Sequence, residues 1–248
     1  MEQPLDRFSA LPVLLWIHGL LVQCRHASCY VDYVDNHHYG QCGDILYTVI
    51  KPRQHYMVIT LMAKKGGVGK STVSLLLHEG LKEAGKSVAI RDWDVQGTSN
   101  KALDMIGGEK ALDTAGYDVL IYDTPPNLAH TATGIAIQAA DLVVVVTTPA
   151  PFDIWEAEEA GQFARDRKPG VPVVALFNKV RKSTLLGRLM DDNAKQLSIP
   201  TLSAVISARE CYQHVGVRGW KALDSSAREE IYRLTLALLS PPLATVST

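Results

Sequence analysis

Met57-Val-Ile-Thr-Leu-Met-Ala-Lys-Lys-Gly-Gly-Val-Gly-Lys70-Ser-Thr72 is the stretch on which the fold turns. It opens apolar and β-branched, as a buried strand requires, and then concentrates three glycines before a run with helical spacing. Glycine tolerates the tight turns that bring successive backbone N–H groups to one point, and the helix that follows adds its positive end. Strand, glycine loop and helix in that order form a phosphate cradle of the Walker type over Lys65, Gly66, Gly67, Val68, Gly69, Lys70, Ser71 and Thr72. In such a cradle Lys70 bridges the β and γ phosphates of a nucleotide, and the Ser71 hydroxyl ligates magnesium.

Outward from the loop, apolar runs alternate with helical segments. Strands are expected at 58–62, 87–91, 119–122, 142–147, 171–177 and 201–205, and helices at 71–83, 127–138, 154–165, 184–196 and 226–239. Runs such as Leu142-Val-Val-Val-Val-Thr147 are β-branched throughout, which suits a strand covered on both faces. The alternation predicts an α/β fold: a doubly wound, mostly parallel sheet with helices on both faces, binding ligands beyond the carboxyl ends of its strands.

The second lysine narrows the class. Lys65-Gly-Gly-Val-Gly-Lys70-Ser-Thr72 resembles the deviant Walker A motif of the ParA/MinD family of ATPases. The resemblance implies ATP and magnesium as ligands. It also implies an ATP-dependent homodimer in which Lys65 reaches across to the partner's phosphates. Arg91-Asp-Trp-Asp94-Val-Gln-Gly97 resembles the family's first switch, with Val95 where proline is usual. It gives Asp94 the magnesium-bound or attacking water and leaves Asp92 as support. Tyr117-Asp-Val-Leu-Ile-Tyr-Asp123 has the form of a Walker B strand, so Asp123 holds magnesium, and Thr124-Pro125-Pro126 looks like the second switch. By the same resemblance Asn178 reads the adenine edge. The likeness runs over about residues 57–240, and Thr148-Pro149, Phe152-Asp153 and residues 204–212 are most similar to the small ParF-like partition branch. Gly97 to Thr124 is only 28 positions, short for the family, which predicts a lost peripheral strand or helix.

Net charge is −1, so nothing global points to nucleic acid or membrane. Locally, residues 57–160 carry 8 basic against 14 acidic side chains, and residues 161–248 carry 13 against 7. Arg181, Lys182, Arg188, Arg209, Arg218 and Lys221 are the candidates for non-specific DNA contact, although each alone also suits a solvated face. The family reading adds a ParB-like or cargo-adaptor partner that stimulates hydrolysis, and a cytoplasmic, nucleoid-associated location.

A membrane-cycling ATPase like MinD would carry a basic amphipathic terminal helix. Leu236 to Thr248 holds no charged side chain and is broken by Pro241-Pro242. Nitrogenase iron-protein relatives share a cluster through cysteines, and residues 57–248 contain only Cys211.

Residues 1–56 show no sustained period and have no counterpart in small ParA proteins, so the domains are an N-terminal extension, 1–56, and an ATPase domain, 57–248. Three readings stay open for the extension: a reading frame extended beyond a start at Met57, a loosely docked segment, or a metal site from Cys24, Cys29, His37, His38 and Cys42. The last lacks the paired Cys-x-x-Cys spacing of zinc sites. The apolar run 11–22 is too short to span a bilayer, contains Pro12 and His18, and lacks the flanks of a signal peptide.

Overall fold

The structure, a computed structural model, describes residues 57–111 and 116–239, together with the backbone of five strands between residues 13 and 48. The chain divides into two compact units, Met1–Gln54 and His55–Thr248.

In the first unit β1 (Val13–Ile17) and β2 (Leu20–Cys24) pair antiparallel, and β3 (Tyr30–Val34), β4 (His37–Cys42) and β5 (Ile45–Thr48) form an antiparallel three-stranded sheet. No such regularity is expected from hydrophobic period. The overlooked signal is the spacers: Ile17 pairs with Leu20, Val34 with His37 and Cys42 with Ile45. Each pair is separated by two residues, His18-Gly19, Asp35-Asn36 and Gly43-Asp44, and Gly, Asn and Asp favour two-residue hairpins. Of the metal candidates, Cys24 closes β2, while His37, His38 and Cys42 belong to β4. Cys29 lies outside the described residues. The side chains of all five metal candidates lie outside the described residues.

The second unit is built on a five-stranded, all-parallel sheet of β6 (Met57–Met62), β7 (Val88–Asp92), β8 (Val119–Asp123), β9 (Leu142–Thr147) and β10 (Val173–Phe177), in the order β10-β9-β6-β8-β7. Helices α1 (Lys70–Glu83), α2 (Thr98–Ile106), α3 (Thr131–Ala139) and α4 (Pro151–Arg167) make the crossovers. After β10 come α5 (Leu185–Arg188), α6 (Met190–Ala194), α7 (Val215–Arg218) and α8 (Ser225–Leu239), with single 3-10 turns at Glu210–His214 and Gly219–Ala222.

Alternation along the strands sorts the core into two layers. Ile59, Leu61, Ile90, Ile121, Val144 and Leu176 share one layer with side chains of α1, α2, α7 and α8. Val58, Leu120, Val143, Val145 and Ala175 face the other way, toward α3 and α4. Leu142 to Val145 are 0% exposed, so this strand is covered on both faces, as its β-branched run predicts. Each such side chain contributes roughly 1.5–3 kcal/mol by leaving water, which makes the sheet centre the rigid platform for the loops at its ends.

Several expected elements differ. The strand at 201–205 is reduced to isolated bridges, Ala175 with Thr201 and Val180 with Ser207. Pro200 has no N–H to donate, and its carbonyl accepts from Ala175 N at 2.8 Å instead. The helix at 184–196 is broken into α5 and α6 at Leu189. Gly187 lies so close to the Arg181 carbonyl that a Cβ there would collide with it, and this crossing fixes a tight local turn. Helix α3 starts at Thr131 rather than 127, because the chain leaving Pro125-Pro126 first turns over Asn127, whose side chain accepts from Ala129 N at 2.9 Å. No helix is expected at 98–106, yet α2 forms there. It is short, begins at Gly97 without a side-chain cap and buries only Ser99, Ala102 and Leu103, so its periodic signal is weak. Between α2 and β8 a single parallel bridge joins Ile90 and Lys110, and residues 112–115 lie outside the described residues.

Among the described residues no helix is long and apolar enough to cross a membrane.

Candidate functional site

The carboxyl ends of β6, β7 and β8 are level. Leu61 pairs with Asp123, and Asp92 pairs with Asp123 on the other side, so two carboxylates end adjacent strands beside the glycine loop. The loop leaves β6 at Met62 and enters α1 at Lys70. Gly67 (φ 82°) and Gly69 (φ 97°) occupy the left-handed region, where a side chain would be strained. Gly69 also caps α1 and offers no side-chain acceptor to the first helical N–H groups, which stay available to an anion.

Two residues after β10 hold this loop in shape. Asn178 Nδ2 donates to the Val68 carbonyl at 2.8 Å, and Lys179 Nζ donates to the Gly67 carbonyl at 2.6 Å. Tying those carbonyls outward leaves the loop N–H groups for the cradle. The contact is close: a Cβ on Gly69 would collide with Asn178 Nδ2. Lys179 is the one non-glycine with positive φ (56°) among the described residues, a strained conformation of the kind that clusters at functional sites. In the sequence Lys179 carries no signal, being an exposed lysine after a strand.

Asp123 is 1% exposed. Its Oδ2 accepts from Ser99 Oγ at 2.6 Å, while Oδ1 is buried without a hydrogen-bond partner. Burial, with Asp92 adding to it, pushes the carboxyl up to about 6, against the opposing pull of Ser99, Ser71 and Lys70. An orphaned carboxylate oxygen beside a serine hydroxyl is the hard oxygen pair that magnesium takes from a protein when phosphates and water complete its shell. The residues present therefore fit magnesium. Ser99 could not have been found from sequence, since α2 itself was not.

Lys70 is buried, and desolvation lowers its pKa, opposed by the charges of Asp123 and Asp94. Asp94 is half-buried at the turn between β7 and α2, and its Oδ1 accepts from Gln96 N at 3.0 Å. Asp92 accepts from Asp94 N at 2.9 Å and Asn100 N at 3.1 Å, so it holds the turn and the first turn of α2. Thr124 is turned inward, donating its hydroxyl to the Leu61 carbonyl at 2.9 Å, and Pro126 packs against Gly66.

Lys70, Ser71, Asp94 and Asp123 thus converge. Lys65 does not join them. It pairs with Asp153 at the start of α4 at 2.7 Å, and Asp153 is held in turn by Thr148 Oγ at 2.6 Å. The Lys65 side chain keeps 51% of its exposure. Asn178 is buried in a cleft of about 880 Å³ that runs from Thr72 to Arg181, Ser207, Arg209 and Tyr212. Its carbonyl end accepts from Lys179 N at 2.8 Å, so one amide N–H stays unassigned. Of the basic residues considered for DNA, Arg181, Lys182, Arg188, Arg218 and Lys221 are exposed, whereas Arg209 is half-buried and donates to Ser226 Oγ at 2.9 Å.

Comparison with known proteins gives the same direction. "Maintenance of carboxysome distribution protein A" of Halothiobacillus neapolitanus is 24% identical over 187 residues, covering 66% of this chain and 85% of that protein. Its namesake in Gloeobacter kilaueensis is 27% identical over 198 residues, 71% of this chain and 90% of that one. A plasmid partition protein of Borrelia burgdorferi B31, solved with AMPPNP bound, superposes with a TM-score of 0.62 at 16% identity over 75% of this chain and 99% of its own. The sequence profile of the CobQ/CobB/MinD/ParA nucleotide-binding domain matches residues 59–219, well over half of the chain. With the phosphate loop, the level strand ends and this match together, the chain belongs to the CobQ/CobB/MinD/ParA nucleotide-binding family.

Proposed function

We propose that this protein is a magnesium-dependent ATPase that dimerises on ATP, binds DNA without sequence preference while dimeric, and is released when a partner stimulates hydrolysis. The observation that carries the reading is Asp123 Oδ1, buried and unpartnered at the strand end beside Lys70 and the glycine cradle. A buried carboxylate with one oxygen unpartnered is costly, and a bound cation with its nucleotide would offset that cost.

In this reading Gly66, Gly67, Val68, Gly69 and Thr72 line the cradle with backbone N–H groups, and Lys70 neutralises the β and γ phosphates. Ser71 and Asp123 hold magnesium, with Asp94 positioning a water. Magnesium supplies charge neutralisation at the phosphoryl oxygens. The free amide N–H of Asn178 faces the base. Lys65 leaves Asp153 to reach the phosphates of a second copy, and its exposure makes that exchange inexpensive.

Arg181, Lys182, Arg188, Arg218 and Lys221 supply salt-sensitive phosphate contacts, doubled in the dimer. The names of the two carboxysome-distribution relatives favour a protein assembly as cargo over a plasmid or chromosome, and the DNA contacts proposed above would hold the dimer on the nucleoid.

Filter retention of DNA with ATP, ADP and no nucleotide tests the switch. Retention with ATP alone is expected. Equal retention in all three states would remove the switch, and ATP turnover without any retention would remove the DNA.

A further inference from the structure

The cleft reaches the phosphate loop at Thr72. Opposite the phosphate loop its wall is formed by Ser207, Ala208, Arg209, Glu210, Tyr212 and Gln213. This wall is not part of a continuous strand. On the sheet side it is tied by Val180 N to the Ile206 carbonyl (3.0 Å) and Ala208 N to the Val180 carbonyl (2.9 Å).

On the other side three donors converge on one carboxylate of α8. Glu230 accepts from Ser207 N at 2.6 Å, from Ser207 Oγ at 2.7 Å and from Tyr212 OH at 2.8 Å, and Arg209 Nε stands 3.7 Å away. The Glu230 side chain is 16% exposed and does not line the cleft itself. Hydrogen bonds to a charged acceptor are about twice as strong as neutral ones, so this is the firmest attachment the wall has. Burial and the Glu230 charge push the Tyr212 phenol above its ordinary range, which keeps it a donor. Among the described residues, Glu230 is the side chain that bonds both Ser207 and Tyr212.

We propose that Glu230 is the positioning residue of the nucleoside half of the site. By fixing Ser207, Arg209 and Tyr212 it presents a preformed wall to the base and ribose, and so sets affinity for the nucleoside part of the ligand separately from its phosphates. Preformed walls bind a flat base without paying to order a loop on each encounter. The inference deepens the ATP-binding reading and rests on it.

The test compares MgATP with magnesium tripolyphosphate, which has the phosphates and lacks the nucleoside, by titration calorimetry on the full chain. Glu230→Gln keeps volume but offers one acceptor oxygen to three donors. It is expected to weaken ATP about 10-fold and leave tripolyphosphate unchanged, whereas Tyr212→Phe weakens ATP about 3-fold. The double variant should bind ATP no worse than Glu230→Gln alone, since both act through one wall.

Equal ATP affinity in wild type and Glu230→Gln would overturn the proposal, as would a parallel loss of ATP and tripolyphosphate. Should Glu230→Gln lose its fold by circular dichroism, Tyr212→Phe decides, and unchanged ATP affinity there overturns it. A wild type that binds no ATP sinks the ATPase reading and this inference together; a wild type that binds, with unaffected variants, sinks this inference alone.

Discussion

The phosphate end and the nucleoside end of the proposed ATP site are built by opposite means. The phosphate end is backbone: residues 63–70 are contiguous, two glycines take positive φ, and the helix start supplies N–H groups. The nucleoside end is side chains from distant segments, with Asn178 reaching Val68 across 110 positions and Glu230 reaching Ser207 across 23. A site made of backbone is specified by where glycine is permitted. A site made of side chains depends on how separate elements pack, and a change in one helix moves it. The two ends meet at Asn178-Lys179, which belongs to the far segment and shapes the near loop.

Variants can break this contrast. The largest effect is expected from Lys70→Ala, which removes the only buried cation beside Asp123 among the described residues. Nucleotide binding should fall at least about 100-fold, since a lost charge pair leaves Asp123 and the phosphates uncompensated. Equilibrium binding of a fluorescent ATP analogue measures it, and near-normal affinity would mean the backbone cradle alone suffices.

Asp94→Ala should keep ATP binding while turnover drops about 100-fold, the usual scale for losing a positioned base or water ligand. Phosphate release under single-turnover conditions reads the chemical step directly. A fall in affinity with turnover intact would place Asp94 in binding instead.

Asp123 gives a prediction in pH. Its carboxyl is raised from 3.8 to about 6, chiefly by burial. Folding therefore disfavours the ionised form. The resulting destabilisation is absent below the unfolded value, grows as pH rises between the two, and is complete above about 6. Asp123→Asn keeps an acceptor for Ser99 and should stabilise magnesium-free protein at pH 7.5 by on the order of 3 kcal/mol. The gain should vanish near pH 4, and magnesium-dependent nucleotide binding of the wild type should weaken as pH falls below about 6. Thermal melts at both pH values decide it: a gain of equal size at each would show that ionisation is not the cause.

The smallest effect sharpens the meeting point. Lys179→Ala and Lys179→Gly both lose the bond to the Gly67 carbonyl, but only glycine relieves the positive φ. Glycine should be the more stable variant by about 1 kcal/mol, with both binding ATP a few-fold more weakly than wild type. Chemical denaturation compares them, and equal stability would mean that the strain at Lys179 is negligible.

Much of the parallel sheet is legible in residues 57–177 because strands buried on both faces must be continuously apolar, and Leu142 to Val146 admit no other reading. The positions of Gly67 and Gly69 in a loop, Lys70 and Ser71 at a helix start and Asp123 at a strand end are legible for a related reason, that each follows from local order along the chain. The first unit's strands show no hydrophobic period, and only the two-residue spacing between paired strands marks them. Helix α2 is not legible, because it buries only three residues and starts on a glycine, and Ser99 is hidden with it. At 201–205 the apolar run suggests a strand but carries no sign of the isolated bridges that form there instead. Glu230 and Lys179 carry no sequence signal at all, being charged residues on segments that read as solvated.

What the chain order alone determined is the alternation of strand and helix and the glycine cradle, because both depend on neighbours within a few residues. What only the tertiary structure decided is the pairing of Lys65 with Asp153, the isolation of Asp123 Oδ1, and the bracing of the far wall by Glu230. Those depend on which distant groups the packed core brings within hydrogen-bond reach, and hydrophobic packing sets that distance without leaving a local pattern in the sequence.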